Sequence, residues 1–191
     1  MRIISGYLKG KKIGSLKSAT TRPLRDIVKE NTFNIIKHSN QTNVSLERAN
    51  VLDLYSGIGS FGIECISRGA KKITFVEKDK NALKILKENI KHLKIEDKSK
   101  VFETKIISFF DQSNKNDKYE FIFFDPPFSE NFFINDLKII QSFNIFSKNH
   151  LIIIHREKKS KDDLSSILNV INTKEYGRSK IIFANFKLNT A

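Results

Sequence analysis

The sequence is poor in several residue types, and each shortage excludes a class of protein. Among 191 residues there are no Trp, one Cys and three Pro. The single cysteine, Cys65, excludes a disulfide framework and is typical of a reducing compartment. No apolar run approaches the roughly 20 residues of a membrane span, and the N-terminus lacks the apolar segment of a secretory signal. We therefore expect a cytoplasmic protein without membrane contact.

Two further kinds of pattern are missing. The four His and the one Cys are scattered without metal-ligand spacing, so no metal site is expected. No Ser-His-Asp or Cys-His arrangement is visible either. The length suits one α/β domain over residues 1–191, with a basic N-terminal hairpin and linker at 1–21 and a core at 22–191. We expect it to act as a monomer.

The most informative residues present are Asp125, Pro126, Pro127 and Phe128, which directly follow an apolar run of strand length at 119–124. An ionised Asp125 only accepts hydrogen bonds. The two prolines lack N–H groups and fix their φ angles, so the carbonyls beside the carboxylate are rigid acceptors. Phe128 adds a flat apolar face. Two acceptors beside a stacking face suit a planar ring with an exocyclic amino group, such as a nucleobase.

A second informative segment runs from Val51 to Gly62, where a predicted strand enters a glycine-rich turn and then a helix. Gly57, Gly59 and Gly62 match the GxGxxG pattern of dinucleotide-binding turns. Glu77 ends the next predicted strand, 18 residues after Gly59, close to the spacing at which a carboxylate meets ribose hydroxyls. This context favours an adenosine-containing cofactor.

Two details favour S-adenosylmethionine over NAD as that cofactor. Asp53 lies four residues before Gly57, near the end of its strand. Its carboxylate would repel a pyrophosphate but attract an ammonium or sulfonium group. Asp125 and the residues after it give a reason to bring an amine to the same sheet edge, whereas a hydride acceptor would have no use for them.

The net charge of +13 is unevenly distributed. Residues 1–29 contain one acid, Asp26, and eight basic residues: Arg2, Lys9, Lys11, Lys12, Lys17, Arg22, Arg25 and Lys29. A local excess of +7 is the electrostatic pattern expected for contact with phosphate backbones. A second basic cluster, residues 156–161, is interpreted as a solvated loop.

Periodicity predicts an α/β fold. A hairpin at 2–14 and a helix starting near Pro23 are followed by strands alternating with helices. The predicted later helices are 61–68, 81–93, 106–110, 131–146 and 162–171, and the strands are 50–55, 72–77, 100–104, 119–124, 150–155, 173–178 and 180–187. Alternation indicates a mostly parallel seven-stranded sheet with helices on both faces. The last two strands have no helix between them and should form an antiparallel hairpin.

With these motifs combined, the chain resembles the RsmD-type bacterial rRNA guanine-N2 methyltransferases over nearly its whole length. The opening 1–6 is similar to the family's opening, and residues 22–30 resemble its Arg-Pro-Thr-x-Asp-x-Val-Arg/Lys-Glu block. The segments 53–59 and 125–128 stand where the family has its cofactor and catalytic motifs. The chain departs from the family at Leu24, Arg25 and Ile27. Lys105 also follows the third strand, where the family usually has an Asp for the adenine amino group.

The resemblance implies a Rossmann-like class I methyltransferase fold with a small N-terminal β-hairpin extension. It implies methyl transfer from S-adenosylmethionine to a guanine N2 in 16S rRNA, within a small ribosomal subunit or an assembly intermediate. The catalytic residues would be Asp125, Pro126, Pro127 and Phe128. The cofactor-binding residues would be Asp53, Tyr55, Ser56, Gly57, Gly59 and Glu77. The RNA-binding residues would be Arg2, Lys9, Lys11, Lys12 and Arg22.

Three other functions are compatible with parts of the pattern. Adenine-N6 methylation of RNA or DNA would use the same acceptor geometry, although the chain has no segment long enough for a separate DNA-recognition domain. An NAD-dependent oxidoreductase would explain the GxGxxG match alone. A non-catalytic RNA-binding module would explain the basic N-terminus but leave Glu77 and Asp125 without a role.

Overall fold

The computed structural model describes residues 1–16, 26–38, 44–112, 116–127 and 133–187. The helices in these ranges are α1 (Asp26–His38), α2 (Ser60–Ser67), α3 (Lys80–Leu93), α4 (Ile106–Gln112) and α5 (Phe133–Phe143), with a 3₁₀ turn at Glu96–Lys98. The strands are β1 (Asn50–Leu54), β2 (Lys72–Glu77), β3 (Ser99–Glu103), β4 (Tyr119–Phe124), β5 (Phe146–Glu157), β6 (Leu168–Tyr176) and β7 (Ser179–Phe186).

All seven strands form one sheet in the order β3-β2-β1-β4-β5-β7-β6. The first five are parallel, and β7 pairs antiparallel with both β5 and β6. The expected mostly parallel sheet with a C-terminal hairpin is therefore confirmed. The strand order reverses between β1 and β4, so their carboxyl ends flank the crevice where open α/β sheets bind ligands.

The sheet is covered on both faces, because its central strands are apolar on both sides. One layer of core packs α1, α2, α3 and the N-terminal segment against the sheet, through residues such as Phe33, Phe61 and Leu86. The other layer packs α4 and α5 through residues such as Phe109 and Leu137. No helix in the described ranges is long and apolar enough to cross a membrane.

The N-terminal segment forms a narrow antiparallel loop along α2. Its two arms share one bridge pair, Arg2 with Lys12, so the expected hairpin is present with minimal strand character. The loop tip lies at the C-terminal end of α2, where the Tyr7 N–H donates to the Ser67 carbonyl at 2.9 Å. Gly6 has φ of +83°, and a Cβ there would lie 1.7 Å from that carbonyl oxygen, so the contact requires glycine.

A buried carboxylate ties this loop to two helices. Glu64 in α2 accepts hydrogen bonds from the backbone N–H groups of Ile4 and Ser5 at 2.9 Å and from Arg68 Nε at 2.8 Å. Lys29 Nζ of α1 lies 3.8 Å from the same carboxylate and donates to the Arg2 carbonyl and the Ser60 hydroxyl at 3.3 Å. Burial lowers the pKa of Lys29, although the Glu64 charge acts against this shift.

One predicted helix is wrong. The sequence predicts a helix at residues 162–171, but turns lead into β6 at Leu168. The apolar residues Leu164, Ile167 and Leu168 stand at helical spacing in this segment. The Asp163 carboxylate accepts the backbone N–H and the hydroxyl of Ser165, a local turn that competes with helix formation. The three apolar side chains are buried nonetheless, so burial alone produced the spacing. Strand β6 accordingly begins five residues earlier than predicted.

The other boundaries agree with the sequence or shift slightly. Strands β2 and β4 have the predicted limits. Helix α5 is shorter than the predicted 131–146, and β5 is longer than the predicted 150–155. The helix expected near Pro23 is described from Asp26 onward, and Pro23 itself lies outside the described residues.

Candidate active site

Three carboxylates predicted to meet at the sheet edge do lie there together. Strands β1 and β4 pair in register through Leu54 and Phe124, and the Asp125 N–H donates to the Leu54 carbonyl at 3.4 Å. Asp53 is at the end of β1, and Glu77 ends the neighbouring β2. The parallel register therefore brings both motif segments to one edge, as the sequence indicated.

The glycine turn between β1 and α2 is held by these same carboxylates. The Gly57 N–H donates to Glu77 Oε2 at 2.7 Å, and the Gly62 N–H donates to Asp53 Oδ2 at 2.9 Å. A Cβ on Gly62 would lie 2.4 Å from the Phe75 ring, so glycine is required for α2 to pack this close to β2. The GxGxxG match therefore describes a real strand–turn–helix unit.

Asp53 is almost fully buried and only half satisfied. Its Oδ1 has no hydrogen-bond partner among the described residues, whereas Oδ2 accepts from Gly62. Burial raises the pKa of this carboxyl well above its usual range. The Gly62 hydrogen bond opposes the shift, and the nearby charges of Asp125 and Glu77 add to it. A cationic ligand group would relieve both the missing contact and the repulsion.

Glu77 is half-buried and already bound to backbone. Besides Gly57, the N–H groups of Lys78 and Asp79 donate to its Oε1 at 2.8 Å. These bonds fix the carboxylate at the start of α3, where Asp79 caps the helix by accepting from the Ala82 N–H. Glu77 is therefore an organised part of the turn and not a solvated strand-end charge.

A pocket of about 160 Å³ opens beside Glu77. Its lining comes from the ends of β1, β2 and β3 and from α4 and α5: Tyr55, Val76, Glu77, Lys78, Thr104, Lys105, Ile106, Ile107 and Asp136. Tyr55 has φ of +56°, a strained value for a bulky residue, and its hydroxyl contacts Asp136 Oδ2 at 2.5 Å. The Ser56 hydroxyl is buried without a partner among the described residues.

The residues that follow β4 are held by side chains, whereas Asp53 and Glu77 are held by backbone N–H groups. Asp125 Oδ1 lies 2.7 Å from His155 Nδ1, and Arg156 Nη1 donates to the Pro127 carbonyl at 3.2 Å. Pro126 is buried and Pro127 exposed. Phe128, predicted as a stacking residue, lies outside the described residues.

Sequence reasoning missed both supporting residues. His155 was counted among scattered histidines, and Arg156 was assigned to a solvated basic loop. That assignment is wrong for Arg156, which is 1% exposed and belongs to β5. A usable signal was present, since His155 and Arg156 directly follow the apolar run 151–154 and so reach the same sheet edge as Asp125.

Comparison with known proteins assigns the family. The model of the family described as Conserved hypothetical protein 95 matches residues 1–185. Ribosomal RNA small subunit methyltransferase D of Haemophilus influenzae is 33% identical over 159 residues, which cover 83% of this chain and 79% of that protein. This chain belongs to the RsmD family of methyltransferases.

Solved structures agree with the RsmD assignment. A methylase from Haemophilus influenzae superposes with a TM-score of 0.75 at 28% identity, covering 96% of each chain. A protein from Escherichia coli described as a methyltransferase gives a TM-score of 0.79 at 24% identity, again over 96% of each chain. The Rossmann-like methyltransferase fold expected from the sequence is thereby confirmed.

The basic residues of this RsmD-family chain divide into exposed and buried groups. Arg2, Lys9, Lys11 and Lys12 are exposed on the N-terminal loop. Lys29 was counted in the same basic excess, but it is buried against Glu64 and offers no charge to a ligand. Arg22 lies outside the described residues.

The loop also has a near end and a far end relative to the site. Arg2 and Lys12 pair beside Ser60, the first residue of α2, because Lys29 bridges the Arg2 carbonyl and the Ser60 hydroxyl. Lys9 is near the tip, beside the last residue of α2. Eight helical residues separate the two ends by about 12 Å. The Arg2–Lys12 end is therefore the one that adjoins the glycine turn.

Proposed function

We propose that this protein transfers a methyl group from S-adenosylmethionine to the exocyclic N2 of a guanine in small-subunit (16S) rRNA. The observation that carries the proposal is the pairing of two different strand ends. A buried carboxylate with an unused oxygen, Asp53, lies one residue before the end of β1, and a rigid acceptor group, Asp125 with its prolines, follows the adjacent β4. A cationic methyl donor and an amine acceptor would thus meet across one strand pair.

The residues present fit the proposed cofactor. Asp53 Oδ1 is an open acceptor for a cationic group, and the Ser56 hydroxyl is a second polar group without a partner in the described ranges. Glu77 lines the pocket in which an adenosine moiety would lie, together with Ile106 and Ile107. Lys105 lines it too and cannot accept a hydrogen bond, so the adenine amino group would need a backbone carbonyl or another side chain as its acceptor. S-adenosylmethionine, when bound, supplies a methyl group made electrophilic by its sulfonium.

The acceptor side would act mainly by positioning. The two N–H groups of an aromatic amine can donate to the Asp125 carboxylate and to the Pro126 carbonyl, while Arg156 donates to the Pro127 carbonyl. Holding the nitrogen in line with the methyl can contribute up to roughly 7–11 kcal/mol. The carboxylate also stabilises positive charge that develops on the nitrogen, until the methylated nitrogen loses a proton to Asp125 or to solvent. Phe128 would stack on the base, which is worth about 1–3 kcal/mol and requires an unpaired or flipped nucleotide.

The substrate class is supported by charge and by the relatives. The exposed Arg2, Lys9, Lys11 and Lys12 form a cationic loop without an acidic residue of its own. The Haemophilus influenzae relative is named for small-subunit ribosomal RNA. We expect the RNA to be presented within a small subunit or an assembly intermediate, since folded RNA offers unpaired loop bases that a protein can recognise.

The decisive experiment is methyl transfer with labelled S-adenosylmethionine on small subunits that lack the modification, followed by nucleoside analysis. The expected product is N2-methylguanosine in 16S rRNA. If the labelled product is N6-methyladenosine, the target base is adenine and not guanine. No transfer to subunits, their assembly intermediates or naked 16S rRNA would overturn the proposal. The Asp125→Ala variant is the background control.

A further inference from the structure

Strand β5 has two consecutive buried polar residues, His155 and Arg156, just before its last residue. His155 is 5% exposed and Arg156 is 1% exposed, although the four residues before them are apolar and completely buried. A buried imidazole and a buried guanidinium destabilise a fold unless hydrogen bonds replace their lost hydration. Both side chains obtain such bonds from the segment Asp125–Pro127, which directly follows the neighbouring strand β4.

The His155 contact fixes one oxygen of the proposed catalytic carboxylate. Nδ1 lies 2.7 Å from Asp125 Oδ1, and within the described part of the chain His155 is the side chain that hydrogen-bonds this carboxylate. An ionised carboxylate only accepts, so the shared proton belongs to Nδ1. The Asp125 side chain remains 28% exposed, which leaves its other oxygen for a substrate.

Arg156 holds the other end of the same segment. Its Nη1 donates to the Pro127 carbonyl, while Nε and Nη2 donate to the two oxygens of Asp162 at 3.1 and 3.3 Å. The guanidinium also lies 4.4 Å from the centre of the Phe133 ring. Burial acts to raise the pKa of Asp162, but hydrogen bonds from Arg156 and Ser160 and the Arg156 charge outweigh it and lower the pKa. The guanidinium is thus held by Asp162 and Phe133 as well as by its bond to Pro127.

We propose that His155 is a positioning residue for methyl transfer: it fixes the orientation of the Asp125 carboxylate, while Arg156 fixes the proline carbonyl two residues later. The inference rests on the proposed function of Asp125. His155 touches no substrate atom in this scheme. Its effect is to present Asp125 Oδ2 and the Pro126 carbonyl to one amino group at the same time, so its loss should reduce turnover more than binding.

A matched control lies on the same strand. His150 is also 5% exposed, but it is near the opposite end of β5. Its Nδ1 lies 2.9 Å from the Ser147 carbonyl oxygen, and its Nε2 accepts from the Phe186 N–H at 2.9 Å. The substitution His150→Leu therefore removes a buried imidazole from the same strand without touching the Asp125 segment.

The kinetic test compares His155→Leu, His155→Asn and His150→Leu with the wild-type protein. We expect His155→Leu to lower kcat by about 100-fold, the scale of a misplacement of about 1 Å, with KM values for RNA and S-adenosylmethionine within about twofold. His155→Asn should recover most of the loss, because its amide can donate from nearly the position of Nδ1. His150→Leu should keep kcat even where its melting temperature falls. Unchanged kcat in His155→Leu, or equal losses in both Leu variants, would overturn the proposal.

A second measurement does not depend on activity. In ¹⁵N NMR of the histidine side chains, we expect a protonated Nδ1 for His155, and Asp125→Ala should shift that resonance while leaving His150 unchanged. An unmoved His155 resonance would overturn the pairing even if methyl transfer is observed. If the wild-type protein transfers no methyl group to RNA, the proposed function fails, and the NMR result still decides whether His155 holds Asp125.

Discussion

The two halves of the site, on β1–β2 and on β4–β5, are built in different ways. On the proposed cofactor side, Asp53 and Glu77 are held by backbone N–H groups of Gly62, Gly57, Lys78 and Asp79, all within 20 residues along the chain. On the acceptor side, Asp125 and Pro127 are held by side chains about 30 residues away. The cofactor side is thus a local structure, whereas the acceptor side exists only once β5 has joined the sheet.

This difference has a consequence for mutation. A backbone donor cannot be removed by substituting its own side chain, so the cofactor side is sensitive mainly at its carboxylates and its glycines. The acceptor side can be damaged at Asp125 or through the residues that hold it. Variants on each side should therefore separate turnover from cofactor affinity.

The largest expected effect is on the acceptor side, in Asp125→Ala. Removing the carboxylate should lower kcat by at least about 100-fold, because the amino group loses both its orientation and the charge that stabilises it. RNA affinity should stay nearly unchanged, since most of it comes from phosphate contacts. Single-turnover methyl transfer and RNA binding, measured side by side, check this. The Asp125→Asn variant keeps the shape of the side chain but removes its charge, so it shows how much of the loss is electrostatic. If Asp125→Ala keeps more than a tenth of wild-type turnover, Asp125 is not the positioning group.

On the cofactor side, Glu77→Ala should weaken S-adenosylmethionine binding by about 1–3 kcal/mol, the scale of losing charged hydrogen bonds. Calorimetry measures this directly, and NAD should not bind in the same titration. Glu103→Ala is the matched control, because Glu103 is in register with Glu77 on β3 but is exposed and pairs with Lys87. Equal losses in both variants would mean that Glu77 acts only through general charge.

The role of Asp53 on the cofactor side can be tested through the pH dependence of S-adenosylmethionine binding. Since burial raises its pKa well above the usual range, the free protein keeps this proton to a higher pH than an exposed Asp would. A cationic ligand favours the ionised form, so binding should release a proton, and affinity should rise with pH until it levels off above the pKa of the free protein. Calorimetry in buffers of different ionisation heat measures the release. Asp53→Asn keeps an acceptor for the Gly62 N–H but cannot ionise, so the part of the proton release that comes from Asp53 should disappear. The amine of the cofactor titrates equally with both proteins, so the difference between them isolates Asp53.

The smallest expected effect lies outside both halves, on the N-terminal loop. Changing Lys9, Lys11 and Lys12 together to Gln should weaken RNA binding and flatten its salt dependence by up to about two in slope, as fewer counterions are released. S-adenosylmethionine affinity should not change. Among the single variants, Lys12→Gln should weaken RNA binding more than Lys9→Gln does, because Lys12 lies at the end of the loop nearest the glycine turn. A flatter slope in the control triple Lys158, Lys159 and Lys161 to Gln, but not in the loop triple, would move the RNA surface to that turn.

The same local-versus-distant distinction explains what could be predicted from the sequence. Asp53, the glycine turn and Glu77 are recognisable because each is defined by its neighbours in the chain, and the limits of β2 and β4 follow from their apolar runs. The support by His155 and Arg156 could not be read because it depends on strand order and register. The helix expected at 162–171 failed for a related reason: Leu164, Ile167 and Leu168 are buried by packing against distant elements, which imitated helical spacing. Phe128 and Arg22 remain predictions.

The contacts of the buried Glu64 determine whether the N-terminal loop can be deleted without damage to the core. One carboxylate is shared by the N-terminal loop, by α1 and by its own helix, which begins at the glycine turn. Deleting the first sixteen residues would therefore strip two donors from a charge that has no access to water, and would also uncover Lys29. The N-terminal loop is in this sense not a detachable module. Its exposed side chains can be substituted without touching Glu64, but its backbone N–H groups are part of the packing around α2.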